Sequence, residues 1–255
     1  MYSIDRFSHV TAVTVKGSMS SLDSPFGVMR YWRQRIGEVI CTVYAIDFSA
    51  ERFQPADFPT ASIEMPPQIA RSVRRRQAEF FYGRLVARQA LAGFGLSAAT
   101  VGIGARREPL FPAEVHGSIT HCSAVAAAVV VHGGACKGVG IDIEAPLGPE
   151  ACESVRLLAL CEQERALLRK CCGLPEHLAV ALVFSAKESF YKALSSTVGH
   201  IFDFSALCLE NIVLPTCSLH FRTTEELCRE WPAGTPCKID FSILDTGEVF
   251  TAFAW

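Results

Sequence analysis

Residues 138–144, with the sequence Gly-Val-Gly-Ile-Asp-Ile-Glu, decide the fold predicted for this chain. Apolar side chains alternate there with glycine and acidic residues, a period of two that predicts a β-strand with one apolar face. Asp142 and Glu144 then lie on the same face, before Pro146 ends the strand. Two neighbouring carboxylates are stable together mainly with a cation between them, and their oxygens suit Mg²⁺. The alternative is a solvated edge strand with an acidic face.

Residues 178–195 predict a helix that carries a third carboxylate. Its apolar side chains keep helical spacing on one face, at Phe184, Tyr191 and Leu194. Glu188 and Lys192 are four residues apart and point the same way, which in an ordinary surface pair contributes about 0.2–0.5 kcal/mol. The functional alternative makes Glu188 a metal ligand or a base, with Lys187 and Lys192 beside it for a polyphosphate.

Residues 67–92 predict a second helix, with a proline in its first turn and a glycine after its last residue. Apolar side chains near helical spacing are Ile69, Val73, Ala78, Phe81 and Leu85. The other side is basic, and Arg76 and Arg84 are eight residues apart, so they lie close to one face. Guanidinium groups on a rigid helix fit a phosphate well. The alternative is a basic solvated face, partly paired with Glu79.

His121 precedes an apolar stretch, residues 124–131, that predicts a buried strand. A histidine in this place is either a satisfied structural residue or a ligand-binding imidazole. Residues 101–112 predict a loop in which Arg106 and Arg107 reach either a ligand or water. Further strands are predicted over 39–48, 206–214, 218–222, 238–245 and 249–255, with a hairpin turn at 245–247.

The two predicted helices share a short internal echo. Residues 79–85 and 188–194 both read Glu-x-Phe-Tyr-x-x-Leu, and each segment is followed by a loop and then by strands. The echo suggests two similar α/β halves, joined near residues 133–137.

The composition excludes several classes of protein. The chain has 255 residues, half of them apolar, which is enough for a packed core. A net charge of −2 argues against nucleic acid as a partner, and no apolar run is long enough to cross a bilayer. The first residues lack the plan of a secretory signal. Eleven cysteines without zinc-site spacing predict reduced thiols, mostly core filler, in a cytoplasmic protein.

These stretches, in this order, resemble the 4′-phosphopantetheinyl transferases of the surfactin/enterobactin type. The pair of motifs Gly-Val-Gly-Ile-Asp-x-Glu and Phe-x-x-Lys-Glu-x-x-x-Lys at this separation is specific to that family. The matching residues, which span most of 70–195, are 75–80, Gly83, Arg84, 117–121, 138–144 and 184–194.

The resemblance implies an activity and a fold. The enzyme would transfer the 4′-phosphopantetheine arm of coenzyme A to a serine of an acyl or peptidyl carrier protein, with Mg²⁺, and release adenosine 3′,5′-bisphosphate. The fold would be α+β, with two pseudo-symmetric α/β lobes, each a small mainly antiparallel sheet on a long helix, and the active site in the cleft between them. Residues 1–137 would form the lobe with the phosphate-binding helix and the histidine strand, and residues 138–255 the metal-binding lobe. We expect a monomer.

The resemblance also implies roles for individual residues. Asp142, Glu144 and Glu188 would hold Mg²⁺, and Glu188 would accept the serine proton directly or through a bound water. Lys187 and Lys192 would lie near the pyrophosphate. The residues expected at the phosphates of coenzyme A, chiefly the 3′-phosphate, are Arg76, Arg84 and His121, with Thr120 beside them. Besides Glu188, we expect Lys192 and His121 to be catalytic.

Three positions depart from the family pattern. Phe184 stands where tryptophan is frequent, and Thr120 stands where serine is frequent. Glu108 replaces a basic residue that some relatives have before the proline, so that Arg107 or Arg106 would supply the missing charge. Two other functions stay open, namely a non-catalytic module that binds coenzyme A or carrier protein, and a metal-dependent phosphohydrolase.

Overall fold

The computed structural model describes residues 19–170 and 173–255, which form six α-helices and twelve β-strands. The strand pairs of defined register are antiparallel. The predicted α+β class is therefore confirmed. The N-terminal residues 1–18, on which the expectation of no secretory signal rests, lie outside the described residues, as do Cys171 and Cys172.

The strands are, in chain order, β1 (Ser20–Ser24), β2 (Gly27–Ile36), β3 (Val39–Asp47), β4 (Gly102–Ile103), β5 (Pro109–Leu110), β6 (Val115–His121), β7 (Val125–His132), β8 (Val139–Glu144), β9 (Leu207–Val213), β10 (Ser218–Thr223), β11 (Pro236–Ile243) and β12 (Val249–Ala254). The helices are α1 (Asp57–Thr60), α2 (Pro67–Ala70), α3 (Arg74–Ala92), α4 (Pro149–Ala159), α5 (Glu162–Lys170) and α6 (Glu176–Val198). In the described part of the chain, no helix combines the length and the apolar composition that a membrane span needs.

The described chain divides into two compact units. The larger contains residues 19–143, 188–199 and 252–255, and the smaller contains residues 144–170, 173–187 and 200–251. The predicted boundary between residues 137 and 138 separates two halves that are expected to have similar structures. The division into compact units does not test that similarity. The pseudo-symmetric lobes and the cleft between them therefore stay predictions.

The larger unit is built on an antiparallel sheet with the strand order β1-β2-β3-β7-β6. Residues 125–131 of β7 are all buried, as their apolar sequence predicts. Helix α3 packs on strands β3, β6 and β7 of this sheet. On its apolar side, the Phe81 ring also lies 5.2 Å from Phe58 of α1 and 5.7 Å from Phe53, between ring centroids. Each large side chain buried in this way contributes about 1.5–3 kcal/mol. The packing holds the basic side of α3 in a fixed position.

A single helix over residues 67–92 is a wrong prediction, because the structure has the short helix α2 followed by α3. Val73 adopts an extended conformation before α3 and is 74% exposed. The break is stable because the Gln77 side-chain amide donates to the carbonyls of Ala70 and Ser72, both at 3.0 Å. A side chain therefore satisfies carbonyl groups that a continuing helix would have paired.

In the smaller unit, β9, β10 and β11 pair antiparallel in the order β11-β10-β9. The predicted turn after β11 is present, since the Leu244 amide donates to the Glu248 carbonyl at 2.8 Å and Gly247 has φ +95°. Positive φ is the conformation that favours glycine there. Residues 149–170 are helical apart from a short interruption between α4 and α5.

Candidate functional site

Asp142, on β8, is a buried carboxylate with one satisfied oxygen and one free oxygen. Its Oδ1 accepts hydrogen bonds from Lys192 Nζ at 2.6 Å and from Thr120 Oγ1 at 2.9 Å. Oδ2 is buried and has no hydrogen-bond partner within the described residues. The residue is only 4% exposed, so the solvated acidic edge strand considered above is the wrong alternative at this position. A buried carboxylate oxygen without a partner is costly unless a cation or donor reaches it.

Two glycines of β8 allow helix α6 to approach the strand closely. A Cβ atom at Gly140 would lie 1.9 Å from the Ser189 carbonyl oxygen, and one at Gly138 would lie 2.1 Å from the Ala193 carbonyl oxygen. Any larger residue would push the helix away. The glycines of the motif therefore place the last turns of α6, with Glu188 and Lys192, against the strand that carries Asp142.

Glu188 is half-buried, and its surroundings oppose ionisation. Burial raises the pKa of its carboxyl, Lys192 lowers it, and Asp142 raises it, with a net upward shift. Two carboxylates that share an environment favour one shared cation or one shared proton. Asp142 and Glu188 thus interact electrostatically, and a metal ion shared between them stays a prediction.

Two hydroxyl groups of β6, the strand that ends at His121, hydrogen-bond to the backbone of β8. Ser118 Oγ accepts from the Ile141 amide at 3.0 Å, and Thr120 Oγ1 accepts from the Ile143 amide at 3.1 Å. Both hydroxyls are buried. Each accepts from a backbone amide of β8 that would otherwise be left without this hydrogen bond. Sequence reasoning missed Ser118 and assigned Thr120 only to the ligand. The signal that could have found them is the alternation of hydroxyl residues just before His121.

A cavity of about 450 Å³ lies over the basic side of α3. The charged and titratable side chains that line it are Arg76, Glu79, Arg84, Arg107 and His121. Four of these five groups are cationic or can become so. The structure thus brings together four of the residues that the resemblance assigned to phosphate binding, in one site large enough for part of a nucleotide.

His121 is held as a neutral imidazole in this arrangement. Arg76 Nη1 lies 3.0 Å from His121 Nε2, and because a guanidinium can only donate, that nitrogen must accept. Arg76 also donates to Glu79 at 3.3 Å. Burial is the largest influence on the pKa of His121, which is lowered, while Glu79 acts in the opposite direction. A ligand phosphate would have to draw Arg76 away before His121 could bind it as a cation.

Arg84 occupies the wall between this cavity and a second one of about 330 Å³. Its Nη2 donates to the Gly102 carbonyl at 3.0 Å, and the guanidinium lies 4.6 Å from the centroid of the Phe80 ring. Burial, and then Arg76, lower its pKa to about 10. Nε is buried without a partner within the described residues. An anion in the cavity would raise the lowered pKa of Arg84 and accept a hydrogen bond from its Nε.

The two arginines of the loop between β4 and β5 lie in different surroundings. Arg107 lines the large cavity and has φ +68°, whereas the Arg106 guanidinium donates to the Ser195 carbonyl at 3.1 Å. Glu108 accepts from the Arg106 amide at 2.8 Å. Of the two alternatives for the missing basic residue, Arg107 is thus the one at the cavity, while Glu108 shapes the turn.

Lys187 and Glu144 fall in the smaller unit. Lys187 is 3% exposed, and its ammonium donates to Glu164 at 2.8 Å, to the Ala159 carbonyl at 2.8 Å and to the Phe204 carbonyl at 3.1 Å. All three of its N–H groups therefore have acceptors in the protein. Glu144 ends β8 and is half-buried. The ligand contacts predicted for these two residues stay predictions.

Comparison with known families agrees with this site. The model described as the 4′-phosphopantetheinyl transferase N-terminal domain matches residues 64–131, and that of the 4′-phosphopantetheinyl transferase superfamily matches residues 138–235. These ranges hold both the cavity arginines and the carboxylates of β8 and α6. The chain belongs to the 4′-phosphopantetheinyl transferase superfamily, as the resemblance in its sequence predicted.

Several curated proteins are similar to this chain. Enterobactin synthase component D of Salmonella typhi is 35% identical over 158 residues, which are 61% of this chain and 63% of that protein. The protein of the same name from Escherichia coli O157:H7 is 37% identical over 146 residues, 55% of this chain and 67% of that protein. The 4′-phosphopantetheinyl transferase Npt of Nocardia iowensis is 40% identical over 127 residues, 49% and 54% respectively. The match thus spans less than two thirds of the Salmonella relative's length.

Proposed function

We propose that the protein transfers the 4′-phosphopantetheine arm of coenzyme A to a serine of an acyl or peptidyl carrier protein. The observation that carries the proposal is Asp142, whose buried Oδ2 has no described partner and whose carboxylate helps to raise the pKa of a second acid, Glu188. Membership of the transferase superfamily supplies the reaction class.

The chemistry of the donors suits a divalent metal ion. Asp142 has a desolvated carboxylate oxygen without a described partner, and in this proposal Glu188 and Glu144 would add further oxygens of the kind that Mg²⁺ prefers. When bound, Mg²⁺ would supply positive charge to the diphosphate of coenzyme A and to the bisphosphate that leaves. Lys192 pairs with Asp142 at 2.6 Å, and in this proposal its ammonium would exchange between the carboxylate and a ligand phosphate.

The cavity residues bind and orient coenzyme A in this proposal. Arg76, Arg84 and Arg107 supply cationic groups on rigid elements for the phosphates, chiefly the 3′-phosphate. His121 becomes a further cation once Arg76 moves to the ligand. Thr120 contributes by fixing Asp142. Lys187, engaged by Glu164, would act near the pyrophosphate only by exchanging one of its protein acceptors for a ligand oxygen.

The chemical step is a transfer between two oxygens. The serine oxygen of the carrier protein attacks the phosphorus that bears the pantetheine arm, and the bond from that phosphorus to the bridging oxygen breaks. Adenosine 3′,5′-bisphosphate leaves with the electron pair. Glu188, whose raised pKa suits proton acceptance, takes the serine proton directly or through water.

The carrier protein would dock on a surface of mixed character. Carrier proteins are typically acidic, so a partly basic and partly apolar face is expected. Helix α4 exposes Leu157 and Leu158, at 58% and 67%, and α5 ends in Arg169 and Lys170. The described part of residues 145–176 is therefore the segment on which we propose that the carrier protein docks. We further propose that the protein is a monomer with two pseudo-symmetric lobes, and the sequence echo between α3 and α6 supports the lobes. We also propose that it is cytoplasmic, which is supported by nine described cysteines that are free thiols.

The test is incubation with coenzyme A, Mg²⁺ and a panel of fatty-acid, polyketide and peptide carrier domains, read by intact mass. Transfer adds about 340 Da to a carrier domain, the mass of the pantetheine arm. Release of inorganic phosphate without that gain would support a phosphohydrolase instead. Binding of coenzyme A with neither product would support the non-catalytic module and contradict the transferase.

A further inference from the structure

Two thiols lie close together in the smaller unit. Cys161 Sγ lies 3.7 Å from Cys208 Sγ, although the residues are 47 positions apart in the sequence. Cys161 is exposed immediately before helix α5, and Cys208, the second residue of β9, is half-buried. The expectation that most cysteines are core filler is wrong here, since three of the nine described cysteines are buried.

A buried carboxylate holds the two backbones in place independently of the thiols. Glu164 Oε2 accepts from the Cys161 amide at 2.7 Å, and Oε1 accepts from the Leu209 amide, next to Cys208, at 2.7 Å. Lys187 neutralises this carboxylate at 2.8 Å, and Glu164 has no exposed surface. Charge-assisted hydrogen bonds of this kind are strong and directional. The sulfur atoms are therefore presented to each other by a rigid framework.

The same contacts argue against a metal ion at these three side chains. Cys161, Glu164 and Cys208 are the group of potential ligands whose donor atoms lie within 4.8 Å of one another in the described part of the chain. Both oxygens of Glu164, however, are already bound by two amides and an ammonium. A cation would have to displace Lys187 from a fully buried position and leave an unpaired charge there. The cluster is better described as a dithiol.

We propose that Cys161 and Cys208 form a reversible disulfide when the protein meets a small-molecule disulfide such as oxidised glutathione. The sulfur atoms need to approach by about 1.7 Å to reach bonding distance, which rotation of an exposed side chain can supply. This proposal is independent of the proposed transferase activity, so the failure of one would not contradict the other.

The exchange balances in two steps. The Cys161 thiolate attacks one sulfur of the oxidant, the oxidant's disulfide bond breaks, and one small thiolate leaves. The Cys208 thiolate then attacks the Cys161 sulfur and displaces the second small thiolate. The two protons of the protein thiols go to the two leaving thiolates. The protein is oxidised by two electrons, and the small disulfide is reduced to two thiols.

The different exposure of the two thiols determines the order and the rates of these steps. Cys161 reacts first because it is the exposed member of the pair. Burial, followed by the contact with Cys161, raises the pKa of Cys208 to about 12, so the closing step is slow at neutral pH. Oxidation closes a loop that contains the whole of α5 and α6 and so restricts the unfolded chain. A rise in the thermal unfolding midpoint is expected to accompany the bond.

The test uses the full chain, treated with oxidised or reduced glutathione and then digested without reduction by trypsin and Glu-C. Cleavage after lysine, arginine and glutamate leaves Cys161 alone in residues 157–162 and Cys208 alone in residues 193–210. We expect a linked pair of these peptides, about 2 Da lighter than their sum, only in the oxidised sample. The thermal midpoint should rise in the same sample.

Variants separate this pair from the other thiols. Cys161→Ser and Cys208→Ser should each lose the linked peptides and the rise in the midpoint. Cys152→Ser, which removes a half-buried thiol on α4, should keep both. A stable glutathione adduct on Cys161 without the linked pair, or free alkylation of both thiols after oxidation, would overturn the proposal. So would linkage of either cysteine to a different partner.

Discussion

Thr120 Oγ1 donates to Asp142 Oδ1 at 2.9 Å and accepts from the Ile143 amide at 3.1 Å. One hydroxyl on β6 thus fixes both the side chain and the backbone of β8. The geometry leaves Oδ2 as the carboxylate oxygen without a described partner. The family resemblance placed Thr120 at the ligand, and the structure shows that it also orients the proposed metal-binding acid.

Thr120→Val should weaken both folding and transfer. The change keeps the shape but leaves the Ile143 amide and Asp142 Oδ1 each short of a buried hydrogen bond, at a cost of about 1–3 kcal/mol. Denaturant unfolding and the rate of carrier modification measure the two effects. Thr120→Ser keeps the hydroxyl and is the matched control. Equal behaviour of the valine and serine variants would contradict this role.

Gly140→Ala should displace helix α6 from β8. The new Cβ would lie 1.9 Å from the backbone oxygen of Ser189, which a side-chain rotation cannot relieve. A loss of about 1–3 kcal/mol or more in the free energy of unfolding is expected, together with a loss of transfer. Gly134→Ala, where the nearest atom is a histidine ring atom at 3.5 Å, should be close to wild type. A stable, active Gly140→Ala protein would show that close approach is unnecessary.

Protonation of His121 should destabilise the ligand-free protein at acidic pH. Burial lowers the pKa of His121 in the folded state, so between that value and about 6.5 the unfolded chain binds more protons than the folded one. Stability from this source is present above about pH 6.5 and is lost as the pH falls. Unfolding at about pH 7.5 and about pH 5.5 should show a smaller loss in His121→Gln than in wild type.

The control for this pH dependence is His220→Gln, which changes an exposed histidine on β10. It should keep the wild-type loss of stability on acidification. If His121→Gln and His220→Gln lost stability equally with falling pH, the buried imidazole would not be its source.

Lys187→Met should act chiefly on stability. It would leave the buried carboxylate of Glu164 without its cation, at a cost of about 3–5 kcal/mol. Lys238→Met removes a lysine that is 58% exposed and paired with Asp240, and should cost less than about 0.5 kcal/mol. Denaturant unfolding measures both. A Lys187→Met protein of normal stability with a raised KM for coenzyme A would instead assign Lys187 to the ligand.

The elements with strong periodicity were predictable from the sequence. The alternation in residues 138–144 and the helical spacing in 178–195 predicted β8 and α6, because burial of one face governs both patterns. The approach of Glu188 to Asp142 followed from the family motifs, and the small residues of β8 explain it physically. The three arginines and the histidine that line the 450 Å³ cavity were also named from the sequence.

Features that depend on side-chain contacts distant in sequence were not predictable. The break between α2 and α3 rests on Gln77 reaching back to two carbonyls, which no periodicity reveals. Glu164 lies among other charged residues of α5, and only the fold shows it buried against Lys187. Strand β1 was missed because most of its residues are exposed, and β2 was missed because its buried residues do not alternate regularly with exposed ones.

The most direct measurement of the central claim is the Mg²⁺ dependence of carrier modification in Asp142→Asn. The amide keeps the shape but removes the charge of the oxygen that is proposed to hold the metal ion. We predict a fall in rate of more than about 100-fold at every Mg²⁺ concentration, with cooperative unfolding retained. Asp240→Asn, on β11, should transfer at the wild-type rate. Near wild-type transfer by Asp142→Asn would contradict the claim.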